Sequence, residues 1–351
     1  MDPTFLAQQV GEVTGIPLSP RDGERILASV LASEDMWRIV ELAPVPLLAV
    51  CAGIRLLAEA GWVQVAGGLV RLTREGEAAC ARLGISPART LDCPRCGGRG
   101  VETSLLGEVA GRFHRLAAGR PDAAQEFDQG YVTEESTLAR VAFMSSRGDI
   151  ADKDLLVLGD DDLVSVAAAL TGLPRRVAVL DVDPRVTAFI ARVAERERLP
   201  IEVHAHDLRH PLPSPLQGRF DTFFCDPTES LRGFLLFAGR GLSALRGPGA
   251  AGYLGLTHAE ASLAKWRAIQ RQLVEWGTAI TDLHDRFHSY VNWPYVETMR
   301  AWTHLPVRRV PGRLEPWYRS ALVRVELVTP ATVDLGPVEG DIFVDNEAAT
   351  T

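Results

Sequence analysis

The chain has 351 residues, 46% of them hydrophobic, enough for two domains or one domain with a large appendage. A formal net charge of −8 disfavours nucleic acid as the main partner and suits a cationic one. No window approaches the ~18 consecutive apolar residues of a membrane span, and Met1-Asp2-Pro3-Thr4 leads into no apolar signal core, so a soluble, cytoplasmic protein with no membrane partner is expected.

Five cysteines, with Cys51, Cys80 and Cys225 standing singly among apolar residues, do not form a secreted disulfide framework. Lys153 and Lys265 are the only lysines among many arginines, a bias that fits a thermophile or a GC-rich genome.

Residues 3–13, 20–32, 35–42 and 45–60 carry helical apolar spacing, with Ser19 and Pro20 as cap and first turn of the second helix. Val63 to Leu72 reads as two short strands around Gly67-Gly68, and Thr73 caps a helix to Leu83. Helices followed by a two-stranded wing resemble a winged-helix domain, residues 1–90. Met1 to Arg89 holds eight Arg against ten Asp/Glu, and the candidate recognition helix, residues 46–60, carries only Arg55 and Glu59. A reader of phosphates and base edges needs far more positive charge. A scaffold or dimerisation role is therefore preferred.

The linker, residues 91–125, contains Cys93-Pro94-Arg95-Cys96, which resembles one knuckle of a structural zinc site. Such a site needs four ligands. Two copies in a homodimer complete it; otherwise the pair is a reduced turn or a redox pair. Residues 102–119 read as a helix. Phe127 to Ser136 is a polar cluster in which Thr133 caps a further helix.

The segment 126–330 reads as the main domain. Its centre is Leu155-Leu156-Val157-Leu158, a buried strand, then Gly159 and the aspartates Asp160, Asp161 and Asp162. Strands at 176–180, 201–205, 220–225 and 251–256 alternate with helical stretches, predicting an α/β, Rossmann-like, methyltransferase-type doubly wound sheet. Ligands of such sheets lie outside the carboxyl ends of the strands. Asp160, Asp161, Asp162, Asp181, Asp183, Asp207, Asp226 and Glu229 all fall there. Asp181 stands where this fold grips ribose hydroxyls, and Asp207 where it meets an adenine amino group. Any one of them could be a helix cap, but together they repel unless a cation or donors offset them.

Gly159-Asp160-Asp161-Asp162-Leu163 after a strand, with Asp226-Pro227-Thr228-Glu229 later and a winged-helix-like front, resembles the aminopropyltransferases, and among them the branched-chain polyamine synthases. The resemblance spans nearly the whole chain. It implies decarboxylated S-adenosylmethionine as co-substrate, spermidine as acceptor and N4-bis(aminopropyl)spermidine as final product, with no bound cofactor beyond a structural zinc if the CxxC holds one. By the same resemblance Asp162 holds the donor's aminopropyl ammonium, with Gly159 at the nucleoside turn. Asp181 holds ribose, Asp183 lies beside it among the donor-binding residues, Asp207 with Leu208 holds adenine, and Gln129 and Tyr131 line the donor and amine pockets. One amine nitrogen must lose a proton. That role falls to Asp226, with Asp160 or Asp161 competing, while Asp160, Asp161 and Glu229 hold the charged nitrogens.

Tyr290, Trp293 and Tyr295 form an aromatic stretch that either walls an amine channel or packs in the core. His284 and His288 have the spacing of one helix face and, with Asp285, a metal-site alternative. The acidic tail, residues 331–351, is expected to be disordered alone or to fold over a polycation as a lid. Two rival readings stand beside the transferase. One is a methyltransferase, which the charge of Asp162 opposes because it repels the intact methionine carboxylate. The other is a ligand-sensing regulator, which the weakly charged front opposes.

Overall fold

The computed structural model describes residues 1–291, 295–310, 312, 316–334 and 336–350, with the backbone alone for Leu105. The front contains α1 (Pro3–Thr14), α2 (Pro20–Ala32), α3 (Met36–Leu42), α4 (Leu47–Glu59), the antiparallel pair β1 (Val63–Ala66) and β2 (Leu69–Leu72), and α5 (Arg74–Arg82). These elements fall where apolar spacing and turn residues put them. Asp2, Asp35 and Thr73 accept a backbone N–H at the start of α1, α3 and α5, as short oxygen-bearing side chains do at a helix cap. The front is not a free-standing core. Ile26, Trp37 and Ile54 share one apolar cluster with Tyr290, Val291, Trp317, Tyr318 and Ala349.

After the CxxC turn come α6 (Gly107–Ala117) and α7 (Glu134–Ser146), then the α/β half. It runs β3 (Asp154–Leu158), α8 (Val164–Leu170), β4 (Arg176–Asp181), α9 (Pro184–Glu197), β5 (Ile201–Ala205), β6 (Thr222–Cys225), α10 (Leu231–Ala244), β7 (Ala251–Leu256), α11 (Leu263–Glu275), β8 (Thr278–Val291) and β9 (Pro316–Leu327). The sheet order is β5-β4-β3-β6-β7-β9-β8, parallel through β7 and antiparallel at β9 and β8. All five residues of β3 are buried, which is why that strand reads as an unbroken apolar run. The strand order reverses between β3 and β6, so their carboxyl ends flank the crevice where doubly wound sheets bind ligands.

Three expectations change here. His284 and His288 lie in β8, not on a helix; β8 pairs with β9 through register shifts around these residues. The predicted helix over 102–119 is a short 3-10 turn, Ser104–Leu106, followed by α6. The acidic tail is not free. Arg232 donates to the carbonyls of Glu339 and Asp341, and the buried Lys265 ammonium pairs with Asp345 at 2.8 Å. Ser262 bonds Glu347, and Glu260 accepts the backbone N–H groups of Ala349 and Thr350. No single described helix is long and apolar enough to cross a membrane.

Candidate active site

A cavity of about 300 Å³ opens at the switch point. Gly159, Asp161, Asp162, Asp181, Asp207, Leu208, Asp226 and Glu229 all line it, with Gln129, Tyr290, Tyr295 and Tyr318 from other elements. Ile342, Phe343 and Thr350 of the tail complete the wall. Asp160, Asp183 and Tyr131 do not line it.

The turn after β3 assigns its three aspartates to three tasks. Gly159 has φ +68°, where a side chain is strained. That backbone turn sends Asp160 inward. Its carboxylate accepts the N–H of Val164 at 2.6 Å and of Ser165 at 3.2 Å, together with the Ser165 hydroxyl. Asp160 thus caps α8 and is 1% exposed, so the catalytic and substrate-binding roles expected for it do not hold. Burial pushes its carboxyl up to about 8. Asp162 lines the cavity but is already engaged. One oxygen accepts the Val132 N–H at 2.7 Å and the other the Arg140 guanidinium, so the donor's ammonium would have to compete with both. Asp161 is different: it accepts no hydrogen bond from any described residue. Burial, then Asp162 and Asp181, hold its carboxyl well above the usual range.

At the β4–β5 side, the carboxylates are occupied by the protein. Asp181 accepts the N–H of Asp160 and of Asp183, each at 2.8 Å, while burial raises its carboxyl. Asp183 is fully buried as the N-cap of α9, bonded to Gln129 at 3.0 Å and to Arg185 at 2.6 Å. The donor-binding role expected for it is therefore replaced by a structural one. The Gln129 amide is spent on Asp183 and the Ala124 N–H, leaving its backbone as the part that meets Tyr295. Tyr131 stacks under the Arg120 guanidinium, 3.6 Å from the ring centre, and does not reach the amine pocket. Asp207 is paired with Arg209, which lowers its carboxyl. Leu208 is buried beside it.

At the β6–β8 side, sequence reasoning missed the organising residue. Arg140 of α7 is wholly buried, with one guanidinium nitrogen on Asp162 and the other on Asp226. Its plane lies 4.7 Å from the Phe224 ring centre. Burial opposes its charge, but Asp162 and Asp226 outweigh that and keep it protonated. A lone arginine in the run Leu138-Ala139-Arg140-Val141 is the signal that could have found it. Asp226 also accepts the Tyr290 hydroxyl at 2.6 Å. A Cβ on Gly255 would fall 1.8 Å from Asp226 Oδ1, so only glycine admits the carboxylate here. Burial raises Asp226, against Arg140, which lowers it.

The Glu229 backbone carbonyl accepts Lys265 Nζ at 3.0 Å, but its carboxylate, like that of Asp161, accepts no hydrogen bond from a described residue, and burial beside Glu260, Asp128 and Asp226 raises it well above the ordinary range. Tyr290 and Tyr318 stack with ring centres 4.4 Å apart. The aromatic residues expected near an amine thus reach the cavity at Tyr290 and Tyr295, while Trp293 lies outside the described residues. Among the described residues no group of three or more His, Cys, Asp or Glu is placed to hold a metal. The CxxC forms a turn closed by the Gly97 N–H on the Cys93 carbonyl at 2.7 Å, and backbone N–H groups of Arg95 and Cys96 lower the exposed Cys93 thiol.

An acidic, tyrosine-walled cavity at the switch point of a Rossmann-like sheet defines an α/β enzyme for a cationic, nucleoside-linked ligand. Comparison with known proteins narrows that class. Residues 108–350 match the branched-chain polyamine synthase A C-terminal domain. The chain is 51% identical over 349 residues to an N(4)-bis(aminopropyl)spermidine synthase of Thermus thermophilus, covering 98% of this chain and 97% of that one. It is 44% identical over 350 residues to the enzyme of that name from Thermococcus kodakarensis, covering 99% of each. The crystal structure of the Thermus thermophilus branched-chain polyamine synthase, in complex with N4-aminopropylspermidine and 5'-methylthioadenosine, superposes with a TM-score of 0.93 at 49% identity, covering 99% of this chain and 98% of that one. The chain belongs to the branched-chain polyamine synthase family.

Proposed function

We propose that this protein transfers aminopropyl groups from decarboxylated S-adenosylmethionine to the internal secondary amine of spermidine. The products are N4-aminopropylspermidine, then N4-bis(aminopropyl)spermidine, with one methylthioadenosine released at each transfer. The observation that carries this reading is the ligand pair in the Thermus thermophilus relative, whose chain matches this one along 99% of its length. The cavity supports it independently. The carboxylates of Asp161 and Glu229 accept no hydrogen bond among the described residues, which is costly for a buried charge unless a cation completes them.

The nucleoside lies against Asp181, Asp207 and Leu208. The sulfonium carbon faces the β6 end. The internal nitrogen of spermidine attacks that carbon in line, the carbon–sulfur bond breaks, and the sulfur leaves as a neutral thioether. Alignment of the two reactants is the main task of the site. Asp226 accepts the proton that the attacking nitrogen must lose. Asp161 and Glu229 hold the flanking ammonium groups, and Tyr290, Tyr295 and Tyr318 offer π faces to the growing cation. Two knuckles of Cys93 and Cys96 across a homodimer fit a four-cysteine zinc site; metal analysis of purified protein, with one zinc per two chains expected, tests that separately.

The test of the reaction is regiochemical. Purified protein, decarboxylated S-adenosylmethionine and spermidine are expected to give methylthioadenosine and N4-substituted products, identified by mass-spectrometric fragmentation. Linear spermine alone contradicts branching. Methylation from intact S-adenosylmethionine contradicts the transferase.

A further inference from the structure

Behind Asp226 lies a buried chain of hydrogen bonds that the reaction described above does not use. Tyr290 Oη sits 2.6 Å from Asp226 Oδ2 and 3.2 Å from Ser320 Oγ. Ser320 Oγ sits 2.8 Å from His288 Nδ1. His288 and Ser320 are cross-strand partners in β8 and β9, and both are essentially unexposed. His288 Nε2 is buried with no hydrogen-bond partner. The chain thus begins at a histidine shielded from solvent and ends at the carboxylate beside the reacting atoms.

The donors in this chain can be counted. An ionised carboxylate only accepts, so the single Tyr290 proton points at Asp226. The Tyr290 oxygen then has to accept from Ser320, and Ser320 from His288 Nδ1–H. This is the one arrangement in which all three links carry a hydrogen. The opposite tautomer makes Ser320 donate to Nδ1. It leaves the Ser320 and Tyr290 oxygens facing each other without a proton and buries an unpaired Nε2–H, a donor stripped of water with nothing in exchange. Burial, then Arg140 and Arg99, hold His288 well below the usual imidazole range, so it stays neutral.

We infer that His288 and Ser320 are positioning residues for the transfer: locked as the Nδ1–H tautomer, His288 donates to Ser320 and Ser320 to Tyr290, which fixes the Tyr290 proton on Asp226 Oδ2. The assignment rests on the reaction proposed above. Oδ2 then carries the Tyr290 and Arg140 donors, and Oδ1, which no described residue donates to, is left to take the amine proton. The chain need not reverse when Asp226 becomes protonated. Donors lower a carboxyl pKa, so the chain favours the ionised form of Asp226 against burial and the acidic groups around it. Those facing it are Asp162 and Asp161 from the β3 turn, Glu229 on its own loop, and Tyr318 from β9; Arg140 from α7 opposes them.

Two experiments decide it. The first needs no turnover. Nitrogen-15 spectra of histidine-labelled protein, with the His288 signal assigned by its loss in His288→Asn, are expected to show a neutral Nδ1–H tautomer from pH 6 to 8. An Nε2–H tautomer, or titration in that range, overturns the inference even if the transfer reading stands. The second follows the pH profile of kcat for methylthioadenosine release. Ser320→Ala and His288→Leu are expected to move the acid limb up by about half a unit and so lower kcat on that limb by up to about threefold, with the donor KM within about twofold. His288→Asn keeps an N–H near the Nδ1 position and is expected to restore the limb. An unmoved limb in Ser320→Ala, or His288→Asn as impaired as His288→Leu, contradicts the inference. Absence of methylthioadenosine from the wild-type protein instead refutes the transfer reading and leaves the tautomer test in force.

Discussion

The two sides of the cavity hold similar numbers of carboxylates but treat them differently. Toward β4 and β5, Asp181, Asp183 and Asp207 are each bound by backbone N–H groups or by Arg185 and Arg209. Toward β6 and β8, Asp226 is held by Arg140 and Tyr290, while the carboxylates of Asp161 and Glu229 accept no hydrogen bond among the described residues. The difference teaches that charge at a strand end does not by itself make a binding residue. A carboxylate already satisfied by the protein contributes shape and hydrogen-bond acceptors. One left unsatisfied by its own chain can gain by binding a cation.

The largest expected effect comes from breaking the side that is both satisfied and catalytic. Arg140→Met strands two buried carboxylates and is expected to cost about 3–5 kcal/mol of stability, read by denaturant unfolding, with turnover lost. Gly255→Ala pushes on Asp226 without touching any charge. It is expected to lower kcat about 100-fold or more, in the range by which a misplaced group cripples an active site, while leaving the donor KM near its starting value.

The unsatisfied carboxylates sharpen the contrast because stability and binding should move in opposite directions. Asp161→Asn and Glu229→Gln are each expected to raise the spermidine KM about tenfold, as the loss of one charge-assisted bond does. They are also expected to raise the Tm of the ligand-free protein by about 2–4 °C at pH 8, the response of a domain this size to ~1 kcal/mol. The sign follows from linkage. A carboxyl raised on folding leaves the unfolded chain more readily ionised, so stability falls as pH climbs from about 4 toward the folded pKa. For the ligand-free protein that decline begins near pH 4, and the share of it due to Asp160 runs to about pH 8. The two variants should flatten it, as thermal melts across that range would show.

The smallest effects are expected where the protein has already used the group. Tyr131→Phe keeps the ring under Arg120 and should change kcat/KM less than about twofold, within the spread of surface substitutions. A larger change would return Tyr131 to the amine pocket.

The strands β3, β4 and β6 were legible because each is almost wholly buried and so writes itself as an apolar run closed by an acidic turn, and the part-exposed β5 by the alternation of Ile201, Val203 and Ala205 ahead of Asp207. Cavity-lining Asp161, Asp181, Asp207, Asp226 and Glu229 were legible for the same reason: they follow those strands. The sequence did not separate Asp160 from Asp161, since one glycine at φ +68° decides which neighbour turns inward. Nor did it reveal β8, whose polar residues and register shifts imitate helical spacing around His284 and His288. Arg140 and Lys265 were missed because each acts on partners far along the chain: Arg140 on Asp226, and Lys265 on Asp345.

The most direct test of the account is whether a polyamine supplies the charge that Asp161 and Glu229 lack. Calorimetric titration of spermidine into the methylthioadenosine-saturated protein at pH 7, repeated in buffers of different ionisation enthalpy, reports protons released on binding. The account predicts net release, diminished in Asp161→Asn and Glu229→Gln together with affinity. Binding enthalpy independent of buffer, with both variants binding as tightly as the wild type, would contradict it.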